Sequence, residues 1–196
     1  MESDRELLLN AAGRLFHRYG TRVPLSEVLA AAEVSESQFY QLYPTRDDLV
    51  AEVAERQMDR ILAHLEPYVN RMERWEDLAQ WRQGILGLAE IAGLLGCPVG
   101  VIAMNATPET QRTLNSVQRA LNRWAKLHVR ALSRLKERGV FVQSFEPRKA
   151  VQFAGAIVQG ALLLGRAYQD PSMLERNFDA FLAYLETFRA TTTSRA

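Results

Sequence analysis

The sequence predicts an all-α chain of about nine helices. Apolar residues recur at intervals of three and four along most of the 196 residues, and few runs alternate with period two. The breaks between apolar-periodic stretches carry glycine, proline or hydroxyl and acidic cap residues. With 47% hydrophobic and 24% charged residues, the composition is that of a soluble globular protein and not of a disordered one. Cys97 is the only cysteine, which excludes an intrachain disulfide and a thiolate metal cluster and fits a reducing interior. The opening MESDRELLLNAAGRLF mixes acids and arginines into its apolar residues, unlike a signal peptide. No uninterrupted apolar run reaches about 18 residues, AGAIVQGALLLG coming closest. The expectation is a cytoplasmic protein that does not enter a membrane.

The elements follow in order. Ser3 and Glu6 form an S-x-x-E capping box before the stripe Leu7, Leu8, Ala11, Ala12, Leu15, Phe16, and Gly20 stops this first helix. Pro24 suits the first turn of a two-turn helix carrying Leu25, Val28 and Leu29 and ending near Ala32. Ser35, with Gln38 in the reciprocal position, caps a third helix that Pro44 ends. Thr45 and Asp48 cap a fourth, running from about Arg46 to Leu65 before Pro67. Three short helices with a turn of a few residues between the last two match a helix-turn-helix, although a plain helical bundle shares that spacing.

Beyond residue 70 the pattern predicts helices over Trp75 to Leu94, a break with a short helix at GCPVGVIAMNA, and a long helix from Thr107 and Pro108 to Gly139. Pro147 opens another to about Gln169, and Asp170 with Pro171 opens the last, to about Arg189. The polar tail ATTTSRA is expected to fray.

Charge and motifs narrow the function classes. The chain carries +1 overall, but residues 1–50 hold five arginines against eight acids, a net of −3, which opposes purely electrostatic DNA binding. His17, His64 and His128 lie far apart, and H-E-x-x-H, G-x-S-x-G, P-loop, dinucleotide and Glu-x-x-His patterns are missing. No enzymatic activity, metal site or cofactor is expected.

Residues 34–49, VSESQFYQLYPTRDDL, resemble the N-terminal signature of the TetR family of transcriptional regulators through Val34, Ser35, Phe39, Tyr40, Tyr43, Thr45, Arg46 and Leu49. GCPVGVIAMNA resembles, over a shorter stretch, a segment in one branch of the family's C-terminal domains. The resemblance implies a helix-turn-helix DNA-binding domain over residues 1–46, an effector-binding and dimerisation domain over 47–190 and a disordered tail over 191–196. It implies a homodimeric regulator, a repressor by the usual mechanism, that binds double-stranded operator DNA and is released by a small effector. The alternative is a small-molecule-binding protein of the same fold whose DNA module has weakened.

Under this resemblance Arg22, Ser35, Glu36, Ser37, Gln38, Tyr40 and Arg46 are the DNA-contact candidates. Glu36, Ser37 and Gln38 occupy the first turn of the reading helix, which faces base edges in the major groove. Gln38 can bond bidentately to adenine or fold back to cap its own helix, and Glu36 can accept from a cytosine amino group. Tyr40 matches the family's tyrosine at phosphate or base. Arg46 lies at a helix N-terminus that favours phosphate. Phe39 and Tyr43 are assigned to the module's core with Leu15, Phe16, Val28, Leu29, Val34 and Leu49. Four residues depart from the family pattern: Pro24 for a phosphate-binding hydroxyl, Glu33 for a turn glycine, Glu36 for lysine and Leu42 for histidine. Glu33 is expected to cost about 1 kcal/mol if the turn is left-handed.

For the C-terminal body, Gly155, Ala156, Gly160, Ala161 and Gly165 among large aliphatics suit a helix packed against its own copy. The expected dimer interface is Phe153, Ile157, Gly160, Leu164, Phe178, Phe181 and Leu182, and the residues of the last helix serve equally as the protomer's own core. The effector-pocket candidates are Met58, Leu62, Trp81, Cys97, Met104, Asn105, Trp124, His128, Phe153 and Gln159, with Asn105 and Gln159 as orienting polar groups. Cys97 is either a thiol activated at a helix N-terminus or a small buried hydrophobe.

Overall fold

A computed structural model describes residues 3–92 and 95–190. Residues 191–196, expected to form a disordered tail, lie outside them. Among the described residues there are nine α-helices: α1 Asp4–Tyr19, α2 Leu25–Ala32, α3 Glu36–Leu42, α4 Arg46–Val69, α5 Leu78–Ala92, α6 Pro98–Asn105, α7 Gln111–Glu137, α8 Pro147–Tyr168 and α9 Met173–Glu186. A 3-10 turn at Trp75–Asp77 precedes α5. The only extended pairing among these residues is an isolated bridge between Phe141 and Arg189.

The chain divides into two compact units, Met1–Ile61 with Leu95–Asn122, and Leu62–Leu94 with Arg123–Ala196. Helices α4 and α7 each contribute to both, so the units are interleaved in sequence and neither begins or ends at residues 46/47.

In the first unit the local signals act where the sequence places them. Ser3 accepts from the Glu6 N–H, and Gly20, at φ 81°, ends α1 with its N–H on the Phe16 carbonyl. Only half of the expected capping box forms, because the Glu6 carboxylate is taken by Arg56. Phe16, Val28, Val34, Phe39, Tyr43 and Leu49 are all buried and form the core around α1 to α4, while Leu15 and Leu29 are half-buried. The turn between α2 and α3 requires Glu33 at φ 55° and ψ 37°, the left-handed region. Glu33→Gly is therefore expected to raise stability by about 1 kcal/mol, measured by urea unfolding; an unchanged or lower midpoint would show the strain to be offset locally.

In the second unit α4 runs past Pro67 to Val69 and does not stop before it as expected. Proline removes one N–H in the last turn, where the loss is small. The guanidinium of Arg134 receives the carbonyls left at the helix end, with Nε 3.0 Å from Met72 O and Nη2 3.1 Å from both Val69 O and Asn70 O. The last helix ends at Glu186, before the expected Arg189, because the chain then pairs with residues 140–142: Val142 N donates to Phe188 O and Ala190 N to Val140 O, each at 2.9 Å. Gly139, at φ 77°, closes α7 as the sequence predicts.

The long helix expected from Thr107 begins at Gln111 instead. Thr107 and Thr110 close a turn on each other, the Thr107 N–H donating to Thr110 Oγ1 at 2.9 Å. The free N–H groups of α7 are capped by Asp47, from a helix more than sixty residues earlier.

Candidate nucleic-acid interface and effector-binding body

The turn and helix that would face DNA are built by reciprocal capping. Ser35 Oγ accepts from Gln38 N at 3.2 Å, and Gln38 Oε1 accepts from Ser35 N at 2.9 Å and Ser35 Oγ at 2.6 Å. The other end of the same amide is held too, Gln38 Nε2 donating to Asp4 Oδ2 at 2.8 Å. Both polar atoms of Gln38 are thus engaged within the protein. Arg22, Ser35, Glu36, Ser37 and Gln38 are all exposed, and Tyr40 is 53% exposed while Phe39 beside it is completely buried. The buried Phe39 ring meets Tyr40 edge-on at 5.1 Å.

Arg46 points inward. Its Nη2 donates to the carbonyls of Thr21 (2.6 Å) and Val23, and its guanidinium lies 5.9 Å from the Phe16 ring centroid. Burial lowers its pKa from the usual arginine range. In this state Arg46 clamps the loop between α1 and α2 through Nη2. Arg5 is similarly engaged, bidentate to Glu52 at 2.9 and 2.8 Å. Sequence reasoning missed Asp4 and Asp47, whose partners are distant in the chain.

Within the same unit α6 lies against α1. His17 Nε2 is 2.7 Å from Gly96 O, and the Asn105 amide sits where a Cβ on Gly20 would meet it at 3.0 Å. Asn105 Nδ2 also donates to Val101 O at 2.8 Å, so this residue packs at the end of α1 and is not free to orient a ligand. Cys97 is the half-buried N-cap of α6, its sulfur accepting from Gly100 N at 3.3 Å. Met104 is 75% exposed and Met58 fully buried. A polar cleft of about 480 Å³ runs along α4 and the start of α7, but its arginines are each paired, Arg5 with Glu52, Arg112 with Asp48 and Arg119 with Glu55.

The remaining pocket candidates belong to the second unit, and three come together. Trp81 of α5 and Trp124 and His128 of α7 form one aromatic cluster, with His128 at 5.4 Å from the Trp81 ring and 4.1 Å from that of Trp124. Phe178 and Phe181 of α9 pack edge-on against Trp81 at 5.2 and 5.8 Å. Both phenylalanines are completely buried, so they belong to the core of the protomer and not to a dimer surface, the other role the sequence left open. His128 donates its Nδ1–H to the Trp124 carbonyl at 2.8 Å, while burial pushes its pKa down to about 4. Arg82, next to Trp81, fixes α5 to α9 through Asp179 (2.5 Å) and Glu175 (2.7 Å).

Helix α8 carries the exposed apolar surface. Phe153, Leu163, Leu164 and Tyr168 are 44%, 53%, 42% and 70% exposed, Gln159 is exposed beside them, and Ile157, Gly160 and Leu182 are half-buried. Gln159 thus lies on this outer face, while Phe153, though 44% exposed, meets Phe181 of the Trp81 cluster edge-on at 5.9 Å. By length and composition alone α8 is apolar enough to cross a membrane, which for a single helix is weak evidence, and within the second unit it packs along α9.

Residues 88–181 match the family model described as tetracyclin repressor-like, C-terminal domain. No curated protein matches the chain. Among solved structures, a TetR transcriptional regulator from Chloroflexus aurantiacus superposes with a TM-score of 0.84 at 16% identity, covering 96% of this chain and 97% of that one. The reduced form of NemR from E. coli gives 0.78 at 21% identity, over 98% and 100%. A TetR-family regulator from Agrobacterium tumefaciens gives 0.79 at 19% identity, over 95% and 98%. The nine-helix order agrees with these structures, so the chain has the fold seen in TetR-family regulators, and residues 88–181 are similar to the tetracyclin repressor-like C-terminal domain.

Proposed function

We propose that the chain is a ligand-responsive repressor in the cytoplasm, which binds a palindromic operator as a homodimer and is released by a small, largely apolar effector. Residues 3–46 read the DNA, and the helices beyond bind the effector and dimerise. The observation that carries this reading is the exposed first turn of α3, where Glu36, Ser37 and Gln38 project from a helix anchored by buried Phe39 and Tyr43. The exposed face of α8, with Phe153, Gly160 and Leu164, supports self-association. A two-fold dimer places its reading helices about 34 to 36 Å apart, hence the palindrome.

Gln38 reads a base by exchanging Asp4 or its own cap for adenine, so binding requires a local rearrangement. Arg46 supports phosphate contact indirectly by fixing the loop that carries the exposed Arg22. Selection of bound sequences from genomic duplexes at about 50 mM salt tests the reading. An enriched palindrome is expected, with a log–log salt slope equivalent to roughly four or fewer phosphates per module; no enrichment sinks it.

A second reading is favoured by the acidic N-terminal fifty residues and by the internal engagement of Arg5, Gln38 and Arg46. In it, the chain is a small-molecule-binding protein of this fold with a weakened DNA module. Failure of the selection combined with intact ligand binding would establish it.

A further inference from the structure

Two polar atoms in the helical body are buried without a hydrogen-bond partner among the described residues, Trp81 Nε1 and His128 Nε2. Both side chains are 1% exposed, and their rings are 5.4 Å apart. Leaving such groups unpaired is costly, and two in one cluster call for a shared partner.

Their chemistry is complementary. The indole N–H can only donate. His128 Nδ1 faces the Trp124 carbonyl at 2.8 Å and so carries the ring proton, which leaves Nε2 as an acceptor with a free lone pair. One donor and one acceptor on neighbouring buried rings, their centroids 5.4 Å apart, suit a single group that accepts from one and donates to the other.

We propose that Trp81 and His128 form the polar end of the effector site, and that the effector is an uncharged molecule bearing a phenolic or alcoholic hydroxyl on an otherwise apolar body. The hydroxyl oxygen accepts from Trp81 Nε1–H and its proton is donated to His128 Nε2. The inference rests on the effector-binding reading given above and adds the class of ligand to it. Phe178, Phe181 and Trp124 supply apolar and aromatic contact around the pair. A carboxylate has no proton to give to His128, and neither it nor an ammonium finds a counterion in the cluster, since the neighbouring Arg82 is engaged by Asp179 and Glu175.

Equilibrium dialysis of the full-length protein against four probes of one shape tests the proposal: 1-naphthol, 1-methoxynaphthalene, naphthalene and 1-naphthoate. The first both donates and accepts, the second only accepts, the third does neither, and the fourth is an anion. Naphthol is expected to bind at least about tenfold tighter than each of the others, a difference of the size that one satisfied buried hydrogen bond produces. Trp81→Phe, which removes Nε1, and His128→Phe, which removes Nε2 together with the Nδ1 bonded to the Trp124 carbonyl, both keep an aromatic ring and are expected to lower naphthol binding toward the level of naphthalene. Binding of all four probes within threefold of one another, or of none, overturns the proposal, and because this comparison needs only the parent protein it stands even if a variant fails to fold. Naphthol selectivity that survives both substitutions overturns it as well. The DNA reading is scored separately by operator selection without ligand, so either can fail alone.

Discussion

Asp47→Ala is expected to lower the unfolding free energy by roughly 3 kcal/mol, although Asp47 touches neither a ligand nor DNA in the proposed function. Its Oδ2 accepts from Arg112 N at 3.0 Å, and its Oδ1 from Thr113 N at 3.2 Å and from Thr113 Oγ1 at 2.5 Å. Thr113 is 2% exposed, so water cannot readily replace the carboxylate there. Charge-assisted hydrogen bonds contribute about 1.5–3 kcal/mol each, and a buried donor left unmatched costs a similar amount. The negative charge also lies at the positive end of α7. Urea unfolding of Asp47→Ala and Asp47→Asn checks this: the alanine variant is expected to show the full loss, and the asparagine variant, with one oxygen retained, a smaller one. Faster amide exchange at Arg112 and Thr113 should accompany it. A loss below about 1 kcal/mol would show that solvent or Thr110 takes over the cap.

Asp47 also marks the limit of what the sequence discloses. Caps made by neighbours are readable: Ser35 with Gln38, Thr45 with Asp48, Gly20 and Gly139 all act where their spacing places them. The Asp47 cap is invisible because its donors lie sixty-five and sixty-six residues away, and propensity alone starts the helix early, at Thr107. Pro67 misleads for a related reason. The expected stop assumes that the carbonyls around it have nowhere else to go, whereas Arg134 supplies donors from α7.

The candidate site divides in the same way. The apolar periodicity of the last helix marks Phe178 and Phe181 without saying whether they face their own protomer or a partner, and contact with Trp81 decides it. Residue type suggests Arg46 for phosphate and Asn105 for a ligand, but both have carbonyl partners within their own unit. The cluster of Trp81, Trp124 and His128 was reachable only in part. Trp124 and His128 are one helical turn apart and visibly share a face, while the approach of Trp81 depends on how α5 packs.

His128 alone is expected to remove about 3 kcal/mol of stability as the pH falls from 6.5 to about 4. Burial holds the folded imidazole neutral down to about pH 4, against an ordinary value of 6.5 in the unfolded chain. Below 6.5 the unfolded state therefore takes up a proton that the folded state refuses, and stability declines until the folded ring is protonated too. Above 6.5 both states are neutral and the contribution is complete. Carboxylates do not mimic this window in the same way: Asp170, held down to about 2 by Ser172 and Arg176, titrates below it. Urea midpoints at pH 7 and pH 4.5 for the parent and for His128→Phe isolate the histidine, since every other group is common to both proteins. The parent should lose most of the 3 kcal/mol over that interval relative to the variant, whereas equal losses would mean that the ring is protonated, or reached by water, in the folded protein. The same neutrality bears on ligand binding: with Nδ1 committed to Trp124, a neutral ring offers a lone pair at Nε2, and protonation turns that acceptor into a donor. Naphthol affinity should accordingly hold steady from pH 7 to 5 and fall as the folded ring begins to charge.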